Sequence, residues 1–173
     1  MAIPLNYTVQ VQEGWVDYNG HMNDAEYAKV FSKAGFQMML SMGITREKLN
    51  DYNYTYFTLE THICYLKEIL LGEKVQLEWQ LIDFDHKRMH VFFRMKKEDG
   101  TPVATSEQMV IGVSSETRKS ASFPGEFLNL IEEAWMTHKE LDKPKEIGRV
   151  IGIKGRNAWK RSQAFQFYRF WFC

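Results

Sequence analysis

The sequence predicts an α+β fold, a long helix set against a largely antiparallel five-stranded sheet, and three observations predict it. An apolar stripe at helical spacing runs through Tyr27, Val30, Phe31, Ala34, Met38 and Met42. Four stretches rich in β-branched and aromatic residues follow in succession between Tyr54 and Ser114. Between the last two stands Asp99-Gly100, a pair favoured in tight hairpins, which makes those strands antiparallel neighbours.

From Leu5 to Val16, Tyr7, Val9, Val11 and Trp15 alternate with Thr8, Gln10 and Gln12, the period-2 pattern of a half-buried strand. Turn formers break it from Asp17 to Gly20. Asn23 is placed to cap the long helix, with Glu26 three residues on as the reciprocal arm of a capping box. Gly43 supplies the stop, about five turns later. A short helical turn follows at 45–48, with Thr45 as its cap. Strands are expected over Tyr54–Leu66, Lys74–Phe84, Arg88–Lys97 and Thr101–Ser114, and a second amphipathic helix over Glu126–Leu141. A five-stranded sheet covering one helix leaves edges that need protection, which favours a dimer.

The chain has 173 residues, 45% hydrophobic and 25% charged, which suits one globular domain. No apolar run approaches the length of a membrane helix, and no basic-then-apolar segment opens the chain, so a cytoplasmic protein is expected. The two cysteines, Cys64 and Cys173, exclude a disulfide framework and a cysteine metal site.

The chemistry concentrates between residues 17 and 24. Asp17 leaves the end of a strand, Gly20 permits a left-handed backbone, and Asn23 starts a helix. The unpaired N–H groups of the first helical turn, around Asp24, then point back toward the turn, together with the positive end of the helix dipole. A carboxylate beside such donors is a minimal acyl-transfer site: one group attacks or activates water, the other steadies the oxyanion. On these residues alone, a simple turn or cap role for Asp17 is the more ordinary reading.

The segment Trp15-Val16-Asp17-Tyr18-Asn19-Gly20-His21-Met22-Asn23-Asp24-Ala25-Glu26-Tyr27 resembles the Asp-x-x-Gly-His-x-Asn-x-x-x-Tyr signature of the 4-hydroxybenzoyl-CoA thioesterase-like branch of the hotdog superfamily. Tyr65-Leu66-Lys67-Glu68, Leu71-Gly72-Glu73 and Asp85-His86-Lys87-Arg88-Met89-His90 continue the resemblance, which spans roughly residues 5–125. It implies a hotdog fold over residues 1–153, the long helix wrapped by the sheet and an extra helix at the C-terminal end. It also implies an acyl-CoA thioesterase. Asp17 would be its catalytic carboxylate, as nucleophile or as base, and the Asp24 backbone N–H its oxyanion donor. Two subunits would join edge to edge, as a homodimer or a tetramer of such dimers.

Further site residues are expected around these two. His21 and Asn23 belong to the substrate pocket or act only as turn and cap residues. Glu60 and His62, two apart, share a strand face; if that face meets the Asp17 of a partner subunit they line the pocket, and otherwise they form a surface pair. Lys87 and Arg88, or Arg118 and Lys119, are candidates for the phosphates of CoA. No metal and no cofactor beyond the CoA of the substrate is expected, nor nucleic acid or membrane. The motif is closest to the thioesterases of bacterial carnitine breakdown, which act on betainyl-CoA, so a small polar acyl group is expected. Trp15, Tyr18, Tyr54, Tyr56, Phe57 and Trp79 could cage its trimethylammonium, or simply fill the core. The rival reading is a non-catalytic hotdog protein that binds acyl-CoA.

Residues 154–173 match none of this. They hold five basic residues, no acid and seven aromatics, so the rest of a chain with 22 basic and 22 acidic residues is acidic. This tail reads as a cloning or read-through extension, or as a native basic-aromatic segment.

Overall fold

The computed structural model describes residues 3–152; the basic-aromatic tail lies outside them. Five strands, β1 (Ile3–Gln10), β2 (Tyr54–Tyr65), β3 (Lys74–Phe84), β4 (Arg88–Lys97) and β5 (Pro102–Ser114), form one sheet in the order β1-β3-β4-β5-β2. All four pairings are antiparallel. Helix α1 (Asp24–Ser41) packs on one face, the short α2 (Arg46–Asp51) follows it, and α3 (Gly125–His138) ends the core. This is the α+β hotdog arrangement expected from the sequence.

Alternation along the central strands decides which face is buried. Val75, Leu77 and Leu81 of β3 and Val91, Phe93 and Met95 of β4 are fully buried toward α1, where Phe31 meets Phe93 at 6.4 Å between ring centroids. Gly112 is the one place on β5 where a side chain is excluded outright: a Cβ there would stand 1.5 Å from the Tyr54 hydroxyl oxygen. That hydroxyl donates to the Ala121 carbonyl at 3.0 Å, tying β2 to the approach to α3.

Among the departures from expectation, three bear on the site and the core. The first strand stops at Gln10, because Glu13–Trp15 closes into a 3-10 turn through Trp15 N–H to Gln12 O (2.9 Å) and Val16 N–H to Glu13 O (3.3 Å). The capping box forms only in half. Asn23 accepts from the Ala25 N–H at 3.0 Å, but its own N–H goes to Trp15 O, and Glu26 turns away to Lys29. The last helix ends at His138, three residues early.

That early end has a physical reason. Strand β1 covers β3 only as far as Trp79, which leaves the edge N–H of Leu81 without a strand partner. His138, 1% exposed, takes it: Nδ1 accepts from Leu81 N–H at 2.7 Å, and the ring stands against Trp79 at 4.4 Å. Burial pushes the imidazole down to about 4, so the ring is neutral and free to accept. Past His138 the chain turns onto the other face of the sheet, where Gly148 N–H donates to Glu107 Oε2 at 2.8 Å.

Candidate active site

The turn that carries Asp17 is fixed from both sides. Asp17 N–H donates to His21 O at 2.9 Å and Gly20 N–H to Asp17 O at 3.0 Å, with Gly20 at φ 79°, where a Cβ would be strained. The loop then lies against residues 69 and 70, through Met22 N–H to Ile69 O (2.8 Å) and a bridge between His21 and Leu70. That support is itself tied down: Glu73 Oε2 accepts from Leu70 N–H at 2.7 Å and Oε1 from Lys97 Nζ at 2.7 Å. Burial alone would raise the Glu73 carboxyl, but Lys97 and the Leu70 N–H outweigh it and hold it below the usual range.

Within this frame the Asp17 carboxylate is oriented by backbone. Oδ1 accepts from Asn19 N–H at 2.8 Å and from His21 N–H at 3.2 Å. His21 therefore acts on Asp17 through its main chain, while its ring goes elsewhere, Nε2 to Glu68 Oε2 at 3.1 Å. The first turn of α1 is nearly saturated. Ala25 N–H is taken by the side chains of Asn23 (3.0 Å) and Asp24 (2.9 Å), and Glu26 N–H by Asn23 O (3.0 Å). The Asp24 N–H has no acceptor among the described residues, so it is the donor left for a ligand.

Asp17 and Asp24 line one cavity of about 1060 Å³, together with Tyr18, His21, Asn23, Tyr27, Tyr65, Lys67 and Glu68. Four of the residues expected at the site are thus brought together. Tyr27, read from sequence as the first residue of the core stripe, is both core and cavity wall, 4% exposed. Tyr65, Lys67 and Glu68 stand in a segment already singled out by its resemblance. Nothing local, however, says that residue 65 meets residue 24, as it does through Tyr65 Oη to Asp24 O at 3.3 Å.

The other candidates are not at this cavity within one chain. Glu60 and His62 sit mid-strand on the face of β2 turned away from α1, opposite Met109 and Glu107 of β5. Lys87 and Arg88 begin β4, whereas the cavity lies at its other end, by Lys97; nine residues of strand separate them, about 30 Å. Arg88 is further committed to Asp85, whose carboxylate accepts its guanidinium at 2.8 and 2.6 Å and is held down to about 2 by that contact and by backbone N–H groups. Arg118 and Lys119 follow β5 at the same far end. Of the rings proposed as a cage, only Tyr18 lines the cavity. Tyr54, Tyr56 and Phe57 line a separate space of about 730 Å³ between α1 and β2, and Trp79 is buried in the core. Sequence alternation gave each ring a strand, not a neighbour.

Comparison with known proteins agrees with this architecture. A model of the thioesterase-like superfamily matches residues 11–131. The betainyl-CoA thioesterase of Pseudomonas aeruginosa is 38% identical over 148 residues, covering 85% of this chain and 93% of its own length. The L-carnitine dehydrogenase/betainyl-CoA thioesterase of Rhizobium meliloti is 34% identical over 84% of this chain, which spans only 29% of that larger protein. Among solved structures, a Staphylococcus aureus protein in complex with CoA superposes with a TM-score of 0.81 at 33% identity, over 88% of this chain and 97% of that one. The DHNA-CoA thioesterase of the same organism, at 15% identity and a TM-score of 0.72 over 81% of this chain and 97% of its own, shares the fold.

Proposed function

The chain belongs to the thioesterase-like superfamily, and from that membership we propose that it hydrolyses betainyl-CoA to betaine and free CoA, with Asp17 as the catalytic carboxylate. Thioester hydrolysis itself follows from the family and its relatives. The observation that carries the assignment of residues is the shared cavity, lined both by an oriented carboxylate, Asp17, and by a helix terminus whose Asp24 N–H has no acceptor among the described residues.

Two hydrogen bonds to Oδ1 leave the second Asp17 oxygen for chemistry. It either attacks the thioester carbonyl or takes a proton from the water that does. In both cases the carbonyl oxygen gains charge and the Asp24 N–H, at the positive end of α1, meets it. Collapse of the tetrahedral species expels the CoA thiolate; on the base route this releases betaine directly, and on the nucleophile route it leaves a mixed anhydride on Asp17, which water then hydrolyses to betaine and the free carboxylate. No cofactor enters this scheme besides the CoA of the substrate. A non-catalytic role has no observation in its favour.

The complete site is proposed to need a second copy of the chain. Strand β2, twelve residues long, is the longer of the two edge strands of the sheet and exposes Phe57 (44%) and Leu59 (54%) along it. Antiparallel pairing of two such edges would bring the far end of the partner's sheet alongside the cavity of this one. Lys87, Arg88, Arg118 and Lys119 would then reach the CoA phosphates from the partner, and Glu60 and His62 would lie near the junction. Lys67, exposed on the cavity wall, is a cation that the same chain would add. Light scattering is expected to read two or four times the 20.4 kDa chain mass; a monomer at micromolar concentration would remove this part of the proposal.

No helix among the described residues is long and apolar enough to cross a membrane. The substrate class, a CoA thioester, supports a cytoplasmic place of action. The deciding kinetics compare betainyl-CoA with acetyl-CoA and a long-chain acyl-CoA. The highest kcat/KM is expected for betainyl-CoA, and a preference for either other ester refutes that choice of acyl group.

A further inference from the structure

We propose that the corner between the rings of Tyr27 and Tyr65, backed by the carboxylates of Asp24 and Glu68, is the subsite that holds the trimethylammonium of the acyl group. The inference rests on betainyl-CoA being the substrate and names the residues that select it.

The acyl group is small. One methylene separates the carbonyl carbon of betainyl-CoA from its quaternary nitrogen, so the two atoms lie about 2.5 Å apart. With the carbonyl between Asp17 and the Asp24 N–H, the cation can only sit in the cavity those two residues share. The rings lining that cavity are Tyr18, Tyr27 and Tyr65.

Tyr18 is 96% exposed, so its ring is hardly packed against the rest of the described chain. Tyr27 and Tyr65 are different. Their centroids are 5.1 Å apart and their planes 84° from parallel, which makes a two-walled corner of π surface. The Tyr65 hydroxyl donates to the Asp24 carbonyl at 3.3 Å, anchoring that ring at the same helical turn that presents the oxyanion donor. Burial raises the Tyr27 phenol to about 12, so its ring stays neutral.

A quaternary ammonium has no N–H to donate. It is recognised by ring faces and by negative charge at van der Waals distance, not by hydrogen bonds. The cavity supplies both. Asp17, Asp24 and Glu68 line it, Glu68 in contact with His21 Nε2 at 3.1 Å; of the two lysines present, Lys97 is paired with Glu73 at 2.7 Å and Lys67 is exposed. The same carboxylates would favour a cation over any neutral acyl group of equal shape.

The test uses such a pair: betainyl-CoA and 3,3-dimethylbutyryl-CoA, which has carbon in place of the charged nitrogen and the same outline. The readout is the ratio of their kcat/KM values. The unaltered enzyme is expected to favour betainyl-CoA by at least about tenfold, and Tyr65→Leu to lower that ratio about tenfold. Tyr65→Phe keeps the ring and is expected to keep the ratio. Glu68→Gln is expected to lower it, by less. Should Tyr65→Leu slow both esters equally, the corner is a structural wall and the proposal falls while the substrate assignment stands. An unaltered enzyme that cleaves acetyl-CoA but spares betainyl-CoA overturns the substrate assignment, and this subsite with it.

Discussion

Asp17→Asn is expected to lower turnover by about 10²–10⁴-fold with the fold intact. The substitution is nearly silent for structure. Asn keeps an oxygen that accepts from Asn19 and His21 N–H, the two bonds that hold Asp17 in its turn. What it loses is the charge and basicity of the second oxygen, the property the proposed chemistry uses. Release of CoA, followed with a thiol reagent beside a far-ultraviolet circular dichroism spectrum, measures both. An Asn variant that turns over at the native rate removes Asp17 from the reaction. A variant that fails to fold would instead contradict the account of the turn. The two outcomes are separable because one is read from rate and the other from the spectrum.

The second large effect concerns stability in mild acid. In the folded chain burial holds His138 down to about 4, while in the unfolded chain it titrates near 6.5. The unfolded state therefore binds the proton first. The contribution is fully present above pH 6.5, falls as pH drops from 6.5 toward 4, and is spent below that. Integrated over the interval it is of order 3 kcal/mol, a large part of the stability of a domain this size. Protonation also puts a proton on Nδ1, which can then no longer accept from Leu81 N–H at 2.7 Å, so the edge of β3 opens where β1 does not cover it. Urea unfolding at pH 7 and pH 5 measures the difference. His138→Asn, whose side-chain oxygen can accept the same N–H without titrating, is expected to be less stable at pH 7 and to lose much less between the two values. Equal losses in the two proteins would show that other groups carry the acid sensitivity.

How far the sequence reaches depends on the range of the interactions. Strands β3 and β4 begin and end where alternation places them, at Lys74 and Phe84 and at Arg88 and Lys97, because their pattern and their turns are local. The first strand reads too long, since Trp15 continues the alternation while local hydrogen bonds fold Glu13–Trp15 into a 3-10 turn. Asp17 and Asp24 are legible because turn and helix start adjoin in the chain. Tyr65 and Glu68 are not, because forty residues separate them from Asp24 and only the sheet brings them back. The basic pairs fail in the opposite way. Their charge is plain in the sequence, but their position at the far end of the sheet is not.

The strand order has a consequence for how the molecule is built. β3, β4 and β5 form a meander whose neighbours are joined by short turns, so their pairing closes small loops. The first two strands of the chain take the outer places. β2 reaches across sixty residues to set Tyr54 against Ser114, and β1 reaches further still, setting Ile3 against Trp79. Closing those longer loops costs more entropy than closing the meander's turns, so their docking is expected to come later. Asp17 is delivered by the segment between β1 and α1, and Tyr65 by the end of β2, so the cavity is whole only after both late arrivals have docked. A half-folded chain can hold a sheet and still have no place to bind its substrate.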